Sequence, residues 1–162
     1  MDAVVHSVFA DSRVPLTELA TADMQQVFAT GVTSALKTAQ LLHQQETRPA
    51  ALVIIGSIHA GFGEASMAAY STAKSAQRGL NRSIAVEWGP AGLRSNIVEP
   101  GFVPVPRNEE LVNDAVLGGL RRAYPSTRLC TPDDVAHIIG QRTPPRQDRP
   151  PDALTTVSGA CT

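Results

Sequence analysis

Apolar residues fall along this chain in two spacings. The runs "AVVHSVFA" (3–10), "AALVIIGS" (50–57) and "LRSNIVEPG" (93–101) are short, apolar and rich in β-branched residues, and they predict three strands. The second is continuous rather than alternating and lies between Pro49 and Gly56, which suits a strand covered on both faces of a parallel sheet. The stretches between them carry helical spacing. "MQQVFATGVTSALKTAQLLHQQ" (24–45) follows Thr21 or Asp23 as N-cap and predicts a helix that carries Gly31 in its interior. "EASMAAYSTAKSAQRGLNRSIAVEWG" (64–89) predicts a long helix closed by Gly89-Pro90. "RNEELVNDAVLGGLRRAY" (107–124) predicts another, with Leu111, Val112, Ala115, Val116 and Leu120 on one face. "TPDDVAHII" (131–139) opens a further helix, with Thr131 as N-cap, Pro132 at the first position and Asp133 and Asp134 in the first turn. Strands alternating with helices predict an α/β fold built on a parallel sheet with right-handed crossovers.

"QRTPPRQDRPPD" (141–152) breaks this pattern with four prolines and three arginines, and predicts an exposed linker. "ALTTVSGA" (153–160) predicts one last strand, giving a domain over 1–140, a linker over 141–152 and a closing strand within 153–162. Charge adds little: a formal net charge of −1 gives no pull toward nucleic acid or an anionic membrane. No apolar run approaches the ~20 residues needed to cross a bilayer. The start "MDAVVHSVFADSR" lacks the flank and core of a signal peptide, so a cytoplasmic protein is expected. Cys130 and Cys161 stand alone, without a CxxC partner, and are expected to be free thiols. His6, His43 and His137 show no metal-ligand spacing, so no metal is expected.

The candidate chemistry lies in "GSIHAGFGEASMAAYSTAK" (56–74). Tyr70 and Lys74 are four apart on a predicted helix and so share a face. A tyrosine with its ordinary pKa of about 10 needs its phenolate stabilised to trade protons near neutrality, and a lysine ammonium does this. Ser57, at the carboxyl end of a strand, is placed to donate a hydrogen bond to an oxygen on which charge develops. His59 reads as a loop residue, because G-x-S-x-G is absent and no motif places an acid beside it. Asn81-Arg82-Ser83 is formally a glycosylation sequon, made incidental by its place within a helix.

Taken with "GLNRSIAVEWGPAGLRSNIVEPGFV" (79–103) and "RLCTPDDVA" (128–136), Ser57 and the Tyr70-x-x-x-Lys74 pair resemble the short-chain dehydrogenase/reductase family. The resemblance implies a Rossmann-like parallel sheet with flanking helices and NAD(P)(H)-dependent interconversion of a carbonyl and a secondary alcohol. By the same resemblance Tyr70 is the acid/base, Ser57 orients the substrate oxygen, and Lys74 holds the nicotinamide ribose while acidifying Tyr70. The resemblance also implies that Pro100, Gly101 and the backbone of Val103 pack against the nicotinamide. It further implies a homo-oligomer in which helices over 21–45 and 66–88 pair with their copies, with Ala69, Ala73, Ala76 and Ser83 expected to allow close approach.

Several family features are missing. There is no glycine-rich TGxxxGxG turn for the pyrophosphate of NAD or NADP, and the opening residues resemble the family's fourth strand, which makes the sheet incomplete. An Asn-Asn-Ala-Gly segment reads His6-Ser7-Val8-Phe9, a helix-borne catalytic asparagine aligns with Gly31, and a frequent threonine aligns with Val105. Weak or absent cofactor binding by the isolated chain is therefore expected, along with an unpaired apolar edge on the first strand. The alternative is a non-catalytic remnant of the family that acts as a dimerising interaction module.

Overall fold

The computed structural model describes residues 3–45, 49–106, 108, 113, 114, 117, 118 and 128–143. Three strands form one sheet in the order β1-β2-β3: β1 (Ala3–His6), β2 (Ala50–Ile55) and β3 (Leu93–Val98). Both pairings are parallel, running from Ala3↔Ala51 to His6↔Ile54 and from Ala50↔Leu93 to Ile55↔Val98. The helices are α1 (Thr21–Phe28), α2 (Ser34–Gln44), α3 (Ala68–Trp88) and α4 (Pro132–Arg142). The incomplete, Rossmann-like parallel sheet with flanking helices is thus what the alternating pattern requires.

The core follows from the pleat. Leu52 and Ile54, two apart on β2, join Leu93 and Ile97 of β3 against Ala35, Ala39 and Leu42 of α2 and Ile84 of α3. Ala51 and Val53 point the other way and are equally buried, as the unbroken apolar run of β2 requires. The last turn of α4 is tied to β3 by Arg94, whose guanidinium donates to the carbonyls of Arg142 (3.2 Å) and Thr143 (3.1 Å). Cations suit the exposed carbonyls at a helix C-terminus.

Several boundaries differ from the sequence expectations. β1 ends at His6 rather than residue 10, and among the described residues it pairs only with β2, leaving Val5 42% exposed at the edge. The helix over 24–45 is two helices joined by a π-helical turn, Ala29–Thr33, around Gly31. A glycine weakens the regular ladder, and the wider i→i+5 turn absorbs one extra residue there. The long helix starts at Ala68, four residues late, and ends at Trp88 with Gly89 as its C-cap, where Gly89-Pro90 was expected to close it; a 3₁₀ turn, Gly89–Ala91, follows and leads out through Gly92 at φ 87°.

Thr131 caps α4 in a full capping box with Asp134, and the helix runs through Gln141 and Arg142 into the expected linker. Cys130 is disulfide-bonded, which corrects the free thiol expected there. Most of the helix expected over 107–124, the linker beyond residue 143 and the last strand lie outside the described residues. No described helix is long and apolar enough to cross a membrane.

Candidate active site

The carboxyl ends of β2 and β3 and the first turns of α3 meet at one place. Past β2 the chain stays bonded to the strand beside it: Gly56 N–H donates to the Val98 carbonyl (2.7 Å) and Ile58 N–H to the Pro100 carbonyl (3.2 Å). Ser57 lies between these two bonds, buried and in extended backbone, and caps the short 3₁₀ turn Ile58–Ala60. Its Oγ accepts the backbone N–H of His59 at 3.2 Å, so its own proton remains to be donated elsewhere.

Lys74 reaches back from α3 to this turn. Its Nζ donates to the Ile55 carbonyl (2.7 Å), two residues before Ser57, and lies 5.5 Å from the Tyr70 ring centroid and 5.8 Å from that of Phe9. The side chain is buried, and loss of hydration pushes its pKa down to about 8, while the negative charge of Glu99 pulls the other way. Tyr70 is half-buried and meets two more rings edge-on: Phe9 at 6.2 Å and His59 at 6.0 Å. Ser57, Tyr70 and Lys74, singled out by spacing, are therefore linked through the Ser57 turn, Ile55 and His59. Pro100, Gly101 and Val103 follow β3 beside that turn; Asn108 closes the segment by donating to the Val103 carbonyl (3.0 Å) and accepting Val105 N–H (2.7 Å).

The spacing argument missed five contributors. Phe9 packs over the lysine amine. His59 lies between Tyr70 and Phe62, its Nε2 3.3 Å from a Glu64 carboxylate oxygen, and burial lowers its pKa. His6, at the end of β1, is buried and shares a hydrogen bond with Ser34 Oγ (2.8 Å), while Ser34 donates to the Thr30 carbonyl in the π turn. Burial first, and then the Lys74 charge, lower its pKa. Arg78, half-buried, and Glu99, wholly buried, form an ion pair behind the site. No periodic pattern marks any of the five; only a glutamate among the buried residues of "NIVEPG" hinted at a partner.

Gly31 lies in the π turn, its carbonyl accepting Gln77 Nε2–H at 2.9 Å. The small residues expected at a subunit contact divide: Ala69 and Ala73 are buried against Val27 of this same chain, a correction for those two, whereas Ser83 is exposed. The cause is their i, i+4 spacing, which turns both toward α1 together with Gln77. Asn81 is fully buried and accepts Ser95 Oγ–H at 2.7 Å, out of reach of any glycan-adding enzyme. No cluster that could hold a metal ion occurs among the described residues.

A nicotinamide nucleotide fits this chemistry at one end. Only one of the three Lys74 N–H donors is taken by Ile55, which leaves donors for ribose hydroxyls beside the apolar Pro100-Gly101 segment. The pyrophosphate end finds no glycine-rich loop in the 162 residues.

Comparison with known proteins agrees with the geometry. The family model described as enoyl-(acyl carrier protein) reductase matches residues 1–140. Cis-4-hydroxycyclohexanecarboxylate dehydrogenase of Sinomonas cyclohexanicum is 34% identical over 139 residues, covering 84% of this chain and 55% of that protein. A putative gluconate dehydrogenase from Agrobacterium tumefaciens superposes with a TM-score of 0.79 at 26% identity, over 88% of this chain and 57% of its own. An oxidoreductase of the short-chain dehydrogenase/reductase family from Burkholderia thailandensis gives 0.77 at 26% identity, with the same coverage. The chain spans a little over half the length of these relatives. With a family match over most of its length and that family's parallel sheet, this chain belongs to the short-chain dehydrogenases/reductases.

Proposed function

We propose that the chain carries the substrate-facing part of an NAD(P)(H)-dependent oxidoreductase that interconverts a carbonyl and a secondary alcohol. The observation that carries this reading is the Lys74 ammonium, bonded to Ile55 and lying 5.5 Å from the Tyr70 ring. NAD or NADP, when bound, supplies or accepts the hydride. In reduction, Ser57 Oγ–H donates to the carbonyl oxygen and the Tyr70 phenol delivers its proton to that oxygen as negative charge builds. Lys74, still cationic at neutral pH with a pKa of about 8, favours the phenolate left behind and donates to the ribose. In oxidation the Tyr70 phenolate takes the alcohol proton. Pro100, Gly101 and Val103 supply the apolar wall for the nicotinamide. A substrate with a flat or alicyclic ring suits the rings of Phe9, His59 and Phe62 around Tyr70, and the substrate named for the Sinomonas relative has an alicyclic ring, bearing a carboxylate.

A second reading, a non-catalytic dimerising module in the cytoplasm, is favoured by Gly31 and by exposed Leu41 and Val86 on α2 and α3. Titration with NADH and NADPH by calorimetry separates the two. Saturable binding, with reduction of a cyclic ketone lost in Tyr70→Phe, supports the enzyme. No heat with either nucleotide at millimolar concentration, together with a dimer by analytical ultracentrifugation, replaces it with the module.

A further inference from the structure

Behind the reactive groups, three separate stretches of chain converge on one guanidinium. Arg78, one turn past Lys74 on α3, grips both carboxylate oxygens of Glu99: Nε to Oε1 at 2.5 Å and Nη2 to Oε2 at 2.6 Å. Its Nη1 also donates to the Ala60 carbonyl at 3.2 Å, in the 3₁₀ turn that Ser57 caps. Glu99 is the residue immediately before Pro100, and it is wholly buried. The floor of the same turn is shaped around it: a Cβ at Gly56 would lie 2.8 Å from Glu99 Cγ. One bidentate ion pair thus ties α3, the Ser57 turn and the Pro100-Gly101 segment together, and planar two-point pairing fixes orientation as well as distance.

We propose that Arg78 and Glu99 are a positioning pair for the candidate site, fixing the Ser57 turn and the Pro100-Gly101 segment against α3 and providing Lys74 with its buried counter-charge. The inference rests on the proposed role of Lys74 for its functional meaning, but its physical content does not. Around the Lys74 amine, β1 presents His6, α3 presents Tyr70, and the end of β3 presents Glu99. Of these, Glu99 is the group whose negative charge holds the proton on Lys74. Arg78 shares that charge. Removing Glu99 and removing Arg78 therefore have opposite effects on the lysine: the first strips its counter-charge, and the second releases the whole carboxylate to it. Loss of mere structural support has no such sign reversal, because loosening in either variant moves Lys74 toward water and toward its ordinary pKa.

The sequence makes this easy to read, since its only lysines are Lys37 and Lys74. In a Lys37→Arg background, NMR of ¹³Cε- and ¹⁵Nζ-labelled lysine follows Lys74 alone as pH is raised, on the full chain and without nucleotide. Relative to that background, Glu99→Gln should lower the Lys74 midpoint by about half a unit or more, and Arg78→Gln should raise it by a similar amount. Arg78→Lys, which keeps the charge but loses the fork, should fall between the background and Arg78→Gln. Should Glu99→Gln fail to fold by circular dichroism, the double variant Arg78→Gln/Glu99→Gln, which leaves no buried charge unpaired, takes its place: its Lys74 midpoint should lie below that of Arg78→Gln, and a midpoint at or above it overturns the proposal. Shifts in the same direction for both glutamine variants, or an unmoved midpoint in folded Arg78→Gln, overturn the proposal. Because no nucleotide is present, the outcome holds whether or not the chain turns substrate over.

Discussion

Lys74→Met offers a direct measure of how the site is built. The lysine is 5% exposed, and its pKa lies at about 8 instead of 10.5. A gap of about 2.5 units corresponds to roughly 3 kcal/mol by which folding disfavours the charged amine at neutral pH. Methionine has nearly the same length and no charge to desolvate. Against that gain stands the lost bond from Nζ to the Ile55 carbonyl, which leaves that acceptor bare at a cost of roughly 1–2 kcal/mol. Glu99 keeps the two-point grip of Arg78, so no carboxylate is orphaned. The expected balance is a stabilisation of roughly 1–2 kcal/mol at pH 7, which for a chain of this size is a rise in Tm of roughly 2–8 °C.

The pH dependence gives the sharper test. Between about pH 8 and 10.5 the unfolded lysine holds its proton while the folded one has released it, so the native protein becomes more stable as pH rises through that window. Lys74→Met lacks this term, and its advantage should shrink and reverse by about pH 10.5. Urea unfolding of both proteins at pH 7, 8.5 and 10 measures it. A variant that is less stable by the same amount at every pH would refute the reasoning, because the lysine would then be an ordinary packing residue.

Three further outcomes follow from the same coordinates. Gly56→Ala should cost about 1–3 kcal/mol by urea midpoint, since its Cβ meets Glu99 Cγ at 2.8 Å and Ile97 Cδ1 at 2.9 Å, both in buried side chains. Gly31→Ala should instead stabilise by about 0.5–1 kcal/mol, because its Cβ lies 3.6 Å from Gln77 Nε2, an ordinary contact, and alanine stiffens the unfolded chain; a fall in Tm would show that the π turn requires glycine. His6 and His59 both have folded pKa values below the usual 6.5, so the unfolded chain takes up protons first as pH falls. Stability should therefore drop from pH 7 toward pH 5, with a shallower slope in His6→Gln, as thermal melts across that range would record.

How far the sequence spoke depends on what kind of force sets each feature. The strands and α3 were legible because burial dictates them: "ALVII" has to be covered on both faces, and a 21-residue run without proline has little reason to stop before Trp88. Thr131 and Asp134 were legible as a cap because the motif is local in sequence. Ser57, Tyr70 and Lys74 could be singled out by one helical spacing and one strand end. What stayed hidden is non-local. Arg78 finds Glu99 across 21 residues, and His6 finds Ser34 across 28, pairs that no periodicity announces. The π turn was hidden for a different reason: the pattern over 24–45 is continuous on both sides of Gly31, and only the ladder of hydrogen bonds shows the extra residue.

The departures at Gly31 and His6 both fall on the α1–α2 side of the site, and the reason they leave the candidate trio in place is mechanical. Ser57 hangs from β2, Tyr70 and Lys74 from α3, and the Pro100-Gly101 segment from β3, all three joined through Ile55, Ala60 and Glu99. The π turn and α2 enter that network at its edge, the first through the Gly31 carbonyl on Gln77 and the second through Ser34 on His6. Residue 31, where the family resemblance aligns an asparagine, therefore contributes a backbone carbonyl and no side chain, and the bonds that join the Ser57 turn, Lys74 and Glu99 do not pass through it.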